Sequence, residues 1–206
     1  MTENNTHTYD ASDIQVLEGL EPVRLRPGMY IGGTDERAWH HLPIEIMDNS
    51  IDEAVAGFAK KITVNLIDAK TIEITDDGRG IPVDEHPKYP GKSALEVLLT
   101  TLHSGGKFNN NVYKTSGGLH GVGSAVVNAL SSEMIVTISR DGYEWHQTFS
   151  RGKTTSPITR GDATRAHGTK IRFTIDDQIF GANAIQTGQD LPYGAREIIP
   201  VTRGQN

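Results

Sequence analysis

Apolar and polar positions along this chain repeat with two different periods, and the change of period marks out its elements. "KITVNLID" (61–68) and "TIEITDD" (71–77) alternate and are rich in β-branched residues. Period two with that composition predicts two strands, joined by "AKT". "PIEIMDNSIDEAVAGF" (43–58) instead brings Ile44, Met47, Ile51, Val55 and Phe58 to one side at helical spacing. It predicts a helix with that stripe as its apolar face, starting at Pro43 because proline fits only the first turn. "SALEVLLTTLHS" (93–104) and "SAVVNALS" (124–131) predict two further helices. A short helix is expected from Ile14, then a turn at Pro27-Gly28. "EMIVTISRDGYEWHQTFSRG" (133–152) predicts a hairpin turning at Asp141-Gly142, and "TKIRFTI" (169–175) one more strand.

Strands and helices alternate without a strict βαβ rhythm. An α+β fold is expected, a two-layer sandwich with helices on one face of a mixed, mostly antiparallel sheet. Residues 1–13 read as a polar arm carrying Tyr9, residues 14–180 as the folded domain, and 181–206 as a polar, glycine-rich tail of no clear role. There is no internal repeat.

Composition narrows the chemistry. No cysteine is present, so thiolate metal sites and cysteine nucleophiles are excluded. No apolar run approaches a membrane span, and "MTENNTHTYD" lacks a signal pattern, so no membrane partner and a cytoplasmic location are expected. A net charge of −6 argues against nucleic acid as the main ligand of this region.

Three stretches could carry chemistry. On the helix 43–58, Glu45, Asp48, Asn49 and Asp52 form a polar stripe. It is either a solvated face or a Mg²⁺ and water site, since Mg²⁺ takes oxygen ligands and few of them from protein. His40 and His41 lie just before it, and either could hydrogen-bond Glu45. In "TIEITDDGRGIP" the strand ends at Asp76, with Gly78 and Gly80 around Arg79. This is either a turn or a carboxylate placed to accept from the amino group of a flat ring such as adenine. "SGGLHGVG" (116–123) precedes a helix, and its glycines are either a hinge or bare amides converging on phosphate, with Lys107 and Lys114 nearby. "HPKYPGKS" imitates a P-loop, but its first position is His86 and no strand leads into it; "GGLHGVG" lacks the Rossmann spacing.

In order, "VRLRPGMYIGGTDERAWHHL", "EIMDNSIDEAVAG", "DDGRGIP", "LHSGGKF" and "SGGLHGVGSAVVNALS" resemble the N-terminal ATPase domain found in the B subunits of bacterial type II topoisomerases. These belong to the GHKL superfamily of gyrase, heat-shock 90 chaperones, sensor kinases and mismatch-repair ATPases. The match runs from about Tyr9 to about Phe180, and "GGTDER" and "HPKYPGKSALEVLLTTLHSGGKF" look more like topoisomerase IV than gyrase. The resemblance implies a GHKL ATP-binding fold and Mg²⁺-dependent ATP hydrolysis that drives a clamp. It makes Glu45 the general base, His41 its partner, and Asn49 the Mg²⁺ ligand. Asp76 becomes the adenine acceptor, with Thr169 nearby. Gly80, Lys107, Gly117, Gly118, Leu119, His120, Gly121, Val122 and Gly123 would surround the nucleotide, and Tyr9 would reach the nucleotide of a second copy. Arg79, Pro82 and Arg140 would form the rim where aminocoumarins lie. A topoisomerase A-type subunit and DNA would be met through family domains outside these 206 residues, so weak hydrolysis and poor dimerisation are expected of them alone. The alternative is a nucleotide-gated dimerisation module with little catalysis.

Overall fold

A computed structural model of the chain describes residues 17–104 and 123–182, together with the backbone of 196–200. Three short helices, α1 (Glu21–Leu25), α2 (Gly28–Ile31) and α3 (Glu36–Trp39), lead into the long helix α4 (His41–Val55). Strands β1 (Lys61–Leu66) and β2 (Thr71–Asp76) follow, then helices α5 (Ala94–Thr100) and α6 (Gly123–Ala129). The second half holds β3 (Ser131–Arg140), β4 (Tyr143–Ser150), β5 (Lys153–Thr154), β6 (Thr159–Ala163), β7 (Gly168–Ile175), α7 (Asp177–Phe180) and β8 (Arg196–Pro200).

The strands form one sheet in the order β5-β4-β3-β7-β2-β1-β8, with β6 also paired to β4. Every pairing among the described residues is antiparallel, within the expected α+β arrangement of helices on a sheet. Alternation sends Ile72, Ile74, Met134, Val136, Ile138, Ile171 and Phe173 to one face, where they join Leu42, Ile46, Leu95, Leu99 and Val127 of the helices. Burying each large side chain contributes about 1.5–3 kcal/mol. The opposite face is polar: Arg172 forks onto Glu73 across β7 and β2 at 2.8 Å and 3.1 Å.

Several sequence expectations hold. β1 and β2 are the anticipated pair, and the β3–β4 hairpin turns at Asp141 and Gly142 with φ of 55° and 84°. Such left-handed values match the strand twist. Ser93 caps α5, accepting from Glu96 N at 3.0 Å.

Others need correction. Residues 17–20 are not helical; α1 starts at Glu21, because Gly19 turns at φ 58° and Pro22 suits only a first turn. The turn at Pro27-Gly28 becomes α2, which Gly32 ends at φ 81°. Helix α4 starts at His41, so Pro43 lies within its first turn. The larger error is its face. Ile44, Ile51, Val55 and Phe58 are exposed and Met47 is only partly buried, whereas Leu42, Ile46, Ser50, Asp52 and Ala54 turn inward. The inward side walls a cavity rather than dry core, so its polar residues disguised it as the outer face. Strands β5 and β6 were not anticipated, and β8 lies in the stretch 181–206 that read as an unpatterned tail.

Gly168 opens β7 at φ 130°, and an added Cβ would run into the backbone of Asp76 and Asp77. Gly32 is also left-handed but faces open space. Gly168→Ala should therefore cost roughly 2–4 kcal/mol and Gly32→Ala only about 1 kcal/mol. Urea midpoints of the two variants check this; equal losses would remove the close approach as the cause.

Candidate functional site

A cavity of about 590 Å³ opens between α4, the end of β2, the start of β7 and the residues after β2. Its inner end is Asp76, 7% exposed. Period two points Asp76 to the same side as Ile72 and Ile74, so the strand itself drives a carboxylate into the core face. Gly78 N (2.9 Å) and Thr169 N (3.3 Å) donate to Oδ1, and Ser50 Oγ donates to Oδ2 at 2.8 Å. A carboxylate has about four acceptor positions. Three are filled by the protein, which leaves one for an N–H donor in the cavity. Burial pushes the Asp76 carboxyl above its ordinary range, and the bonds from Gly78, Ser50 and Thr169 offset that only in part.

The other end of the cavity is set by α4 and α6. His41, Glu45 and Asn49 follow at four-residue steps along one side of α4. Asn49 Nδ2 donates to Ser124 Oγ at 2.8 Å and to Glu45 O at 3.2 Å. Both amide hydrogens are thus engaged by protein, and Oδ1 is the atom left to the cavity. Gly123 packs against Glu45 so closely that a Cβ there would displace the carboxylate. Asn49 and Asp76 line this same cavity, so one small molecule can touch both.

At the mouth Arg79 forks onto Glu53, with Nη2–Oε1 at 2.7 Å and Nε–Oε2 at 3.0 Å, and lies 3.7 Å over the Phe58 ring. Arg140 Nη1 donates to Gly80 O at 3.0 Å, and Pro82 lines the same rim. Gly80 is left-handed (φ 76°), pressed between Ile138 and the Ser139 carbonyl.

Of the residues singled out from sequence, Asn49, Asp76, Arg79, Gly80, Pro82, Arg140 and Thr169 line the cavity. Glu45 and Gly123 meet beside it, and His41 lies one turn before Glu45. Tyr9, Lys107, Gly117, Gly118, Leu119, His120, Gly121 and Val122 lie outside the described residues. Sequence reasoning missed Ser50, Glu53, Ser124 and His167, whose ring nitrogen meets Gly78 O at 2.8 Å. Ser50 and Glu53 flank the polar stripe of α4 and were legible in principle; nothing local marks His167.

Residues 34–179 match the family described as histidine kinase-, DNA gyrase B- and HSP90-like ATPase. The chain belongs to that ATPase family. It is 64% identical over 173 residues to the B subunit of DNA topoisomerase 4 from Caulobacter vibrioides, covering 84% of this chain and 25% of that protein. It is 50% identical over 201 residues to the B subunit of DNA gyrase from Staphylococcus aureus, covering 98% of this chain and 31% of that one. The crystal structure of the 43K ATPase domain of Thermus thermophilus gyrase B with an aminocoumarin superposes with a TM-score of 0.71 at 42% identity, over 82% of this chain and 42% of that one. The chain thus spans about a quarter to a third of the curated relatives it matches. Membership of that family makes this a GHKL ATPase domain and implies that it binds ATP. Among the described residues no helix is long and apolar enough to cross a membrane.

Because its folded-state pKa is raised, ionised Asp76 opposes folding at neutral pH, and that penalty fades as pH falls through the raised value. Asp76→Asn keeps the shape and can still meet Gly78, Thr169 and Ser50. It should be at least as stable as the parent at pH 7, with the gap narrowing on acidification. Thermal unfolding across pH tests this. A variant clearly less stable at pH 7 would show that the hydrogen bonds outweigh burial.

Proposed function

We propose that this domain binds ATP with Mg²⁺ and hydrolyses it to drive the N-terminal clamp of a topoisomerase IV-type enzyme in the bacterial cytoplasm. The observation that carries the reading is that the buried Asp76 carboxylate and the Asn49 amide open into one nucleotide-sized cavity.

The base end follows from hydrogen-bond capacity. Asp76 accepts from the adenine amino group with its remaining position, and the Thr169 N–H and Ser50 hydroxyl hold it in place. Asn49 Oδ1 fits the cation, being a hard oxygen turned to the cavity. Among the described residues no three acidic or histidine side chains gather around a metal position. That suits a cation held by one protein ligand, waters and phosphates. When bound, Mg²⁺ neutralises phosphate charge during transfer. Glu45, one turn before Asn49, is the general base that takes the proton of the attacking water, and His41, a further turn back, orients it. Gly117 to Gly123, with Lys107, are the phosphate-contacting residues in this reading, and the absence of a side chain at Gly123 leaves room for the Glu45 carboxylate. Arg79, Pro82 and Arg140 form the rim at which an aminocoumarin would rest.

Tyr9 then reaches the nucleotide of a second copy. A topoisomerase A-type subunit and DNA are met through regions that the relatives carry beyond the span matched here.

Two variants test these roles. Glu45→Ala should lower turnover by at least about 10²-fold while leaving ATP binding near parent level. Asp76→Asn should abolish binding of a non-hydrolysable ATP analogue in calorimetry. Parent-level hydrolysis by the first, or parent-level binding by the second, would remove the corresponding assignment.

Gly123→Ala should separate turnover from stability. The new Cβ displaces chiefly the carboxylate end of Glu45 and meets its Cβ at 3.1 Å, so stability should change by no more than about 1 kcal/mol while kcat falls about tenfold or more. Unchanged kcat would mean that the position of Glu45 beside Gly123 is immaterial.

A further inference from the structure

We propose that Ser124 is a positioning residue for the cation ligand. Its hydroxyl fixes the Asn49 side chain so that Oδ1 faces the cavity, an inference that rests on the nucleotide reading above. A free asparagine rotates about χ1 and χ2 and can turn its amide over at little steric cost. Two contacts restrain Asn49. Glu45 O can only accept, so it must face Nδ2; an amide turned over would set two acceptors together. That contact, at 3.2 Å, lies within α4 and cannot alone hold the side chain toward α6. Ser124 Oγ, at 2.8 Å, supplies the second point from across the cavity.

The second point is itself immobile. Ser124 is 7% exposed, and Ala125, Val126, Val127 and Ala129 behind it are buried in the core. Asn128, on the next turn, donates to Leu99 O at 2.8 Å and accepts from Gly152 N at 3.3 Å. The Ser124 Cβ therefore has one place to be, and so does the amide it meets. Ser124 also follows Gly123, against which Glu45 packs. One dipeptide thus leaves room for the base and orients the cation ligand. A side chain without a hydroxyl at 124 would leave both helices in place and free the amide to rotate.

The test is calorimetric titration of a non-hydrolysable ATP analogue with Mg²⁺ and, separately, with chelator. Parent, Ser124→Ala, Ser124→Thr, Asn49→Ala and the Ser124→Ala/Asn49→Ala double variant are compared. Ser124→Ala should weaken the Mg²⁺-dependent binding by three- to tenfold, roughly the worth of one hydrogen bond. Chelator-measured binding should stay within about twofold, Ser124→Thr should restore the parent value, and Ser124→Ala should add nothing once Asn49 is gone. Equal weakening with and without Mg²⁺ would make Ser124 merely structural and overturn the proposal. So would parent-level Mg²⁺ dependence in Ser124→Ala while Asn49→Ala loses it. If Asn49→Ala also keeps the Mg²⁺ dependence, the reading of Asn49 as cation ligand falls, and this proposal with it.

Discussion

The fold is organised around a carboxylate that must be buried without a cation. Isolated, such a group costs several kcal/mol. Here three elements converge to lower that cost: the turn after β2 through Gly78, the first residues of β7 through Thr169, and the middle of α4 through Ser50. Each of those elements has had to accept something unfavourable. The strand β7 opens in a left-handed conformation that only glycine tolerates, α4 carries a serine on its inward face, and the turn after β2 needs glycine at 78, where a Cβ would press on the carboxylate and on Glu53.

How much of this was legible depended on whether the signal was local. The β1–β2 pair and the place of Asp76 at a strand end followed from alternation alone, because a strand has only two faces. Helix α4 misled for the opposite reason. Amphipathicity assumes that the inward side is dry, and here it walls a cavity, so Asn49, Ser50 and Asp52 turn in while Ile44, Ile51 and Val55 turn out. Strand β6 is exposed along its whole length and carries no apolar pattern; it pairs with β4 through the backbone and through Arg160 over the Tyr143 ring. Long-range partners such as Ser124 for Asn49, or His167 for the Gly78 carbonyl, leave no mark in the neighbouring sequence. The family motifs named Asn49, Asp76, Arg79, Gly80, Pro82, Arg140 and Thr169, which line one cavity, and periodicity did not group them.

The two ends of α6 tie the cavity to the rest of the molecule. At its start Gly123 and Ser124 meet Glu45 and Asn49. At its end the Ala129 carbonyl accepts from Arg24 Nη1, and the same guanidinium reaches Asp176 Oδ2 at 2.8 Å. Arg151 completes that junction, also at 2.8 Å from Asp176. A seven-residue helix, buried along most of its length and held at both ends, is a rigid spacer between α4 and the exit of β7.

Asp76 and Asp176 show how charge, rather than burial, separates a carboxylate left with a free acceptor position from one closed by ion pairs. Both are buried aspartates at the ends of neighbouring strands. Burial raises Asp176 too, but the Arg151 and Arg24 guanidiniums outweigh it and hold the carboxyl below its ordinary range. Its contribution to stability is therefore present above the ordinary aspartate pKa and lost as pH falls through the depressed one. Asp76 titrates the other way: burial raises it, the Glu53 charge adds to that, and the neutral donors that face it offset only part. An arginine beside Asp76 would relieve the burial cost, and it would also fill the acceptor position that the proposed adenine contact needs. The carboxylate proposed to bind is the one the protein leaves incompletely satisfied.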